Sequence, residues 1–160
     1  MAGDQVSIER ARPGDLGQIL RNYQHFWGDL ELPRYLHHPM FIYEFGDTAF
    51  VARRPDGVIA GYLLGFVAPT GDGYIHFVAV RDDARGLGLG QRLYAAFTEA
   101  ALARGAVALK AITNPGNEAS IAFHQRLGFD AALSEDYGGA GRPRIVMRRA
   151  LLPAPGLGRS

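Results

Sequence analysis

Apolar and polar residues alternate along Ser7-Ile-Glu-Arg-Ala11 as in a half-buried strand. The next apolar positions fall at 16, 19, 20, 23, 26 and 27, a helical period that predicts a first helix from Pro13-Gly14-Asp15 to Trp27. Gly28 to Gly46 mixes Tyr35, Phe41, Tyr43 and Phe45 with His37, His38 and Pro39, and reads as a short helix plus loop with the composition of a pocket lid. Thr48–Arg53 and Val58–Val67 flank Arg54-Pro-Asp-Gly57, where proline presets one φ and glycine supplies a positive one, so a β-hairpin is expected. A further turn, Pro69 to Gly73, leads into a strand over Tyr74–Val80. The period then changes to 3.6, with Leu89, Leu93, Ala96, Phe97, Ala100 and Ala101 on one face of a helix that ends at Arg104-Gly105. Val107–Ile112 reads as a strand, Asn117–Leu127 as a helix closed by Gly128, and Phe129–Leu133 and Arg144–Arg149 as two last strands around a glycine-rich loop. The order β-α-(α)-β-β-β-α-β-α-β-β predicts one α+β domain, a mixed and mostly antiparallel central sheet flanked by helices, over residues 1–152. Pro153 to Ser160 is expected to form a disordered tail.

Composition narrows the partners. The 160 residues are 48% hydrophobic and 21% charged, enough to bury a core in one domain. A formal charge of +1 provides no one-signed field to hold a nucleic acid backbone or an anionic membrane, although a small anionic ligand needs only a few cations. Zero cysteines exclude disulfides, thiolate metal sites and a cysteine nucleophile, and fit a reducing cytoplasm. The Met1-Ala-Gly-Asp-Gln start carries no basic or apolar leader pattern, and Val58 to Ala68, the longest apolar stretch, is about half of the ~20 residues a membrane helix needs. The expectation is a soluble cytoplasmic protein.

Arg85-Gly-Leu-Gly-Leu-Gly90 lies between a strand and a helix, where bare N–H groups and a helix N-terminus make an anion site. A Walker loop would require Gly-Lys-Ser/Thr, whereas Gly90 precedes Gln91-Arg92. A dinucleotide fingerprint would place its third glycine one residue later. The remaining spacing, Arg85-x-x-Gly88-x-Gly90, resembles the pyrophosphate loop of the GNAT superfamily of acyl-CoA-dependent N-acyltransferases. Asn117-Glu-Ala-Ser-Ile-Ala-Phe-His-Gln-Arg-Leu-Gly-Phe129 is similar to that family's last-helix motif, and the two motifs stand in the family's order.

The resemblance implies acetyl transfer from acetyl-CoA, as co-substrate and without a metal, to the amine of a small molecule or peptide, within a ternary complex. It implies that the N–H groups of Gly86, Leu87, Gly88, Leu89 and Gly90, with Gln91, hold the CoA pyrophosphate beside Arg85. The backbone of Val78, Ala79 and Val80 would pair with the pantetheine arm. Asn117 would bond the pantetheine amides, beside the N-cap role that its residue type favours. A homodimer is compatible with this family.

Two positions depart from the family pattern. His124 replaces the tyrosine that protonates the leaving thiolate in many members, so His124 is a general-acid candidate or a packing residue. His76 stands on the strand where a glutamate or a water chain often serves as base, with a reference pKa near 6.5 that suits the task. Its parity matches Tyr74, Val78 and Val80. Tyr137 in the last loop is a further candidate acid. His25, His37 and His38 have no carboxylate at ligand spacing, so no metal site is expected. Trp27, Tyr35, Phe41 and Tyr43 are candidates to wall an acceptor pocket, with Glu31, Glu44 or Asp47 attracting the amine, or to form plain core. The rivals are a non-catalytic acyl-CoA-binding module and a nucleotide-binding domain.

Overall fold

The computed structural model describes residues 5–151. The expected leader-free start at Met1–Asp4 and the expected tail from Pro153 lie outside the described residues. Among the described residues seven strands follow the order β1-β2-β3-β4-β5-β7-β6, the α+β arrangement expected from the chain. They are β1 Ser7–Arg10, β2 Ala49–Arg53, β3 Ile59–Val67, β4 Asp72–Val80, β5 Ala108–Thr113, β6 Asp130–Ser134 and β7 Arg144–Ala150. The helices are α1 Asp15–Arg21, α2 Tyr23–Trp27, α3 Leu32–Tyr35, α4 Met40–Tyr43, α5 Leu89–Ala103 and α6 Glu118–Arg126. Contacts divide the described residues into two compact units, one of 5–66 with 75–101 and one of 67–74 with 102–151.

In the first unit β1 pairs antiparallel with β2, and β2 with β3. The hairpin turn closes as expected, with the Gly57 N–H donating to the Arg54 carbonyl at 2.9 Å and Gly57 at φ 87°. Ile19, Phe26, Phe41, Ile42, Val51, Ile59, Tyr62 and Leu64 form the core, each buried. Helix α5 buries Leu89, Leu93, Phe97 and Ala101 of the face its periodicity predicts, together with Tyr94, which that face did not include, while Ala96 and Ala100 are half-buried. Gly61 lets this layer close, because a Cβ there would stand 3.1 Å from the Ala79 carbonyl oxygen and 3.2 Å from Leu93. At the opposite edge Arg53 Nη2 meets the buried Asp15 carboxylate at 2.8 Å and Arg53 Nε bonds Glu9. Arg53 thereby holds Glu9 below the usual carboxylate range.

Three expectations are corrected by the fold. The helix foreseen from Leu16 to Trp27 is broken at Asn22, at φ −106° and ψ 22°, where the Asn22 amide turns back to the Gln18 carbonyl at 3.1 Å. An asparagine side chain competes with the backbone in this way, and two short helices result. The segment Gly28 to Gly46 is not simply a lid: it holds the two four-residue helices α3 and α4, and His37, Phe41 and Ile42 are buried in the unit's interior. Strand β4 also begins at Asp72, two residues before the expected Tyr74.

The second unit is built on β7, which pairs antiparallel with β5 from Ala108↔Ala150 to Thr113↔Ile145 and with β6 from Asp130↔Arg148 to Ser134↔Arg144. Asp72 joins it through Arg148 Nη2 at 3.1 Å, and the Val107 N–H donates to the Gly71 carbonyl at 2.9 Å. Asn117 caps α6, and Gly128 at φ 91° ends it, as its sequence indicates.

Candidate active site

The β4–α5 loop of the first unit carries the glycine motif. Gly86 and Gly88 have φ of 80° and 75°, which L side chains rarely adopt, and a Cβ on either would meet nothing within 4 Å. These glycines therefore serve backbone direction and openness and not packing. Among the described residues, no carbonyl accepts a backbone hydrogen bond from the N–H groups of Gly86 to Gln91; the first return bond is Arg92 N–H to Gly88 O at 3.1 Å. A row of free donors at the start of a 15-residue helix is suited to an anion. Arg85 is exposed beside them, whereas Arg92 turns away to donate to the Val6 carbonyl at 2.7 Å. On β4, Ala79 is buried while Val78 and Val80 are partly exposed.

His76 lies on the same strand. Its ring stacks on Phe41 with centroids 4.5 Å apart and planes 12° apart, and contacts Phe77 at 4.3 Å. Its Nε2 stands 2.9 Å from the Leu36 carbonyl oxygen. A carbonyl only accepts, so Nε2 carries the proton and Nδ1 the lone pair. No buried side-chain nitrogen among the described residues lacks a partner, so Nδ1, which has none, is reached by solvent. Burial pushes the His76 pKa down, opposed by the Leu36 bond.

Behind it lies a polar chain that the sequence did not announce. Trp27 Nε1–H donates to the Tyr62 hydroxyl at 2.7 Å, so the Tyr62 O–H is left to donate to His37 Nε2, also at 2.7 Å. His37 Nδ1–H then donates to the Pro33 carbonyl at 2.6 Å. His37 is 8% exposed and stacks on Phe77 at 4.6 Å, and burial lowers its pKa. Burial also raises the Tyr62 pKa strongly, so the chain stays uncharged at neutral pH. The aromatic residues foreseen as an acceptor wall divide: Phe41 is core, Trp27 is committed to Tyr62, and Tyr35 and Tyr43 are 74% and 65% exposed.

The remaining histidines have other partners. His25 Nδ1 meets Asp82 at 3.0 Å, and His38 Nδ1 accepts from the Met40 N–H at 3.1 Å. Among the described residues no three His, Asp or Glu side chains converge as metal ligands would.

In the second unit Asn117 Oδ1 accepts from the Ser120 N–H at 3.2 Å and Nδ2 donates to Thr113 Oγ1 at 3.0 Å. The cap role is thus realised. His124 is 3% exposed, with Nδ1–H donated to the Ser120 carbonyl at 2.7 Å and its ring edge-on to Phe123 and Phe129. Burial pushes its pKa down. Tyr137 is 40% exposed, with the Lys110 ammonium 4.9 Å from its ring centroid.

Comparison with known proteins matches the model of the acetyltransferase (GNAT) family to residues 16–129. The chain belongs to the acetyltransferase (GNAT) family, and its domain is that of an acyltransferase. The L-methionine sulfoximine/L-methionine sulfone acetyltransferase of Pseudomonas aeruginosa is 51% identical over 55 residues, 34% of this chain and 32% of that enzyme, so the match spans about a third of the curated relative. The Escherichia coli ribosomal-protein-S18-alanine N-acetyltransferase shares the fold with a TM-score of 0.73 at 21% identity, over 97% of this chain and 99% of that one. So does yncA from Salmonella typhimurium, solved with its cofactor acetyl-CoA, with a TM-score of 0.70 at 22% identity over 94% and 96%. No helix among the described residues is long and apolar enough to cross a membrane.

Proposed function

We propose that this GNAT domain moves an acetyl group from acetyl-CoA to the primary amine of a small molecule or peptide, by direct attack within a ternary complex. The observation that carries the cofactor assignment is the run of unpaired N–H groups from Gly86 to Gln91 around two positive-φ glycines. Those donors suit a pyrophosphate, and exposed Arg85 adds a cation. The backbone of Val78, Ala79 and Val80 is assigned to the pantetheine arm, and Asn117 to one of its amides. A chain without cysteine has no thiol to carry the acetyl group, which favours direct transfer.

An alkylamine of pKa ~10.4 is mostly ammonium at neutral pH and must lose a proton before attack. His76 is the base in this reading, since its Nδ1 lone pair meets solvent on β4 and burial keeps the ring neutral. The thiolate of pKa ~8.5 needs little help to leave. Of the two candidate acids, Tyr137 has an exposed ring, whereas the Nδ1 proton of His124 is committed to Ser120. Tyr137 is therefore taken as the donor and His124 as a packing residue for α6. Orientation of amine and thioester supplies most of the acceleration, up to ~7–11 kcal/mol, against ~10²–10⁴-fold for one acid or base.

A panel of amines tests this by release of CoA thiol: L-methionine sulfone, L-methionine sulfoximine, a peptide beginning with alanine, and a lysine peptide. Turnover of any one with thermal stabilisation by CoA is the expected result. Stabilisation by CoA without turnover across the panel would favour the non-catalytic binding module, and stabilisation by ATP or NAD instead would overturn the cofactor assignment.

A further inference from the structure

Helix α3 has four residues, far too few to hold itself by its own hydrogen bonds. Its position comes from side chains. The Tyr23 hydroxyl donates to the Leu30 carbonyl just before it, and the Arg34 guanidinium lies 4.6 Å from the Tyr23 ring centroid. At its end, the Pro33 carbonyl accepts twice, from the Leu36 N–H at 3.0 Å and from His37 Nδ1–H at 2.6 Å. His37 is in turn fixed by the Tyr62 hydroxyl on β3 and by stacking on Phe77 of β4. The peptide between these two anchors is Leu36–His37, and its carbonyl is the one that accepts the hydrogen bond from His76 Nε2–H.

We infer that His37 is a positioning residue for His76: by donating Nδ1–H to the Pro33 carbonyl it fixes the turn that ends α3 and holds the Leu36 carbonyl where it fixes the His76 ring with the proton on Nε2 and the lone pair on Nδ1. A free neutral imidazole exchanges between two tautomers, and the wrong one presents an N–H to the amine in place of a lone pair. The Leu36 carbonyl removes that alternative. Phe41 stacks on the ring and Phe77 contacts it at a tilt of 48°, so the carbonyl sets the remaining freedom. The role in catalysis rests on the assignment of His76 as base; the coupling of the two imidazoles does not.

The test reads the tautomer directly. Proton–nitrogen correlation spectra of the full chain at about pH 8.5, two units above the reference imidazole pKa near 6.5, report which ring nitrogen of each histidine is protonated. Wild type is expected to show His76 as the Nε2–H form and His37 as the Nδ1–H form. A mixed or Nδ1–H signal for His76 in wild type overturns the inference without any variant. His37→Asn places its amide where Nδ1 stood and keeps the bond to Pro33; His37→Gln reaches the Tyr62 side and loses Pro33. The Asn variant is expected to keep one His76 tautomer and wild-type kcat. The Gln variant is expected to mix the tautomers and lose up to ~10²-fold in kcat, the cost of a misplaced catalytic group, with KM for acetyl-CoA unchanged. Tyr62→Phe, which leaves the Pro33 bond in place, is expected to keep the single tautomer. A single Nε2–H signal in His37→Gln overturns the coupling. Mixed tautomers in His37→Gln with an unchanged kcat would confirm the coupling and remove His76 as base, so the two assignments fail separately.

Discussion

Gly88→Ala separates the two reasons for a glycine in the β4–α5 loop. Gly88 sits at φ 75°, and a Cβ there meets no atom within 4 Å, so the added methyl strikes no protein group. The structural cost is the left-handed backbone alone, about 1–2 kcal/mol. In a domain of this size 1 kcal/mol moves Tm by about 2–4 °C, which predicts a drop of about 2–8 °C. Gly57→Ala is the matched control, with φ 87° and equally open space in the β2–β3 turn, and it should lose the same stability. The two variants part at the cofactor. If the Gly86 to Gln91 amides hold a pyrophosphate, a methyl at 88 stands in its place and removes at least one hydrogen bond to a charged group, about 1.5–3 kcal/mol. At 1.4 kcal/mol per tenfold, Kd for CoA then rises roughly 10- to 150-fold in Gly88→Ala. Titration calorimetry with desulfo-CoA, alongside thermal melts of both variants, gives the four numbers. Equal Kd in Gly88→Ala and Gly57→Ala, at equal loss of Tm, would refute the cradle and leave the glycines as a turn.

Burial lowers the pKa of His37, His76 and His124 in the folded chain, so below the reference value near 6.5 the unfolded state binds protons that the fold refuses. Their stability contribution is complete above about pH 6.5 and declines as pH falls through it toward the folded values, which urea denaturation at about pH 7.5, 6 and 5 should show as a falling midpoint; a flat profile would refute the burial reading. Arg53→Met strips the partner from the buried Asp15 and from Glu9, and a loss of about 3–5 kcal/mol in urea unfolding is expected. Because the thiolate needs little help to leave, Tyr137→Phe should lower the single-turnover transfer rate by at most ~10²-fold, the low end for one acid or base, while His124→Phe stays within about twofold, and the reverse order would return the acid role to His124.

The readable parts of the chain are those whose local chemistry has one structural solution. The period of Leu89, Leu93, Phe97 and Ala101 admits no arrangement but a one-faced helix, and the glycine spacing from 86 to 90 admits only a backbone-lined turn before it. Asn22 shows the opposite case. An asparagine fits a helix or breaks it, and the choice was made by a bond to the Gln18 carbonyl that no pattern encodes. The aromatic segment fails for a related reason. Phe41 and Tyr43 sit two residues apart in one four-residue helix, yet one is 2% exposed and the other 65%, because α4 presents opposite sides to the core and to water. Which side faces in depends on strands far along the chain. Tyr62 falls within the Val58–Val67 strand expected from the pattern, but its hydroxyl partners come from Trp27 and His37, which its own sequence neighbourhood does not mention.

The histidines carry this reasoning furthest, because for His37, His76 and His124 a backbone carbonyl decides the chemistry. His37 and His124 each donate Nδ1–H to the carbonyl four residues earlier, Pro33 and Ser120, a bond within reach of any histidine near a helical turn. That geometry fixes the Nδ1–H tautomer and turns the ring into a clamp on its own segment. His37 completes the clamp by accepting from Tyr62 at Nε2. His76 is on a strand, where no carbonyl four residues back is in reach, and its acceptor is Leu36 from another element, met by Nε2. The opposite nitrogen is therefore protonated, and Nδ1 keeps its lone pair in contact with solvent. A strand histidine held by its far nitrogen is thus free to take a proton at the near one. Secondary structure, and not pKa, distinguishes the residue assigned to catalysis from the two assigned to structure, since burial shifts all three in the same direction.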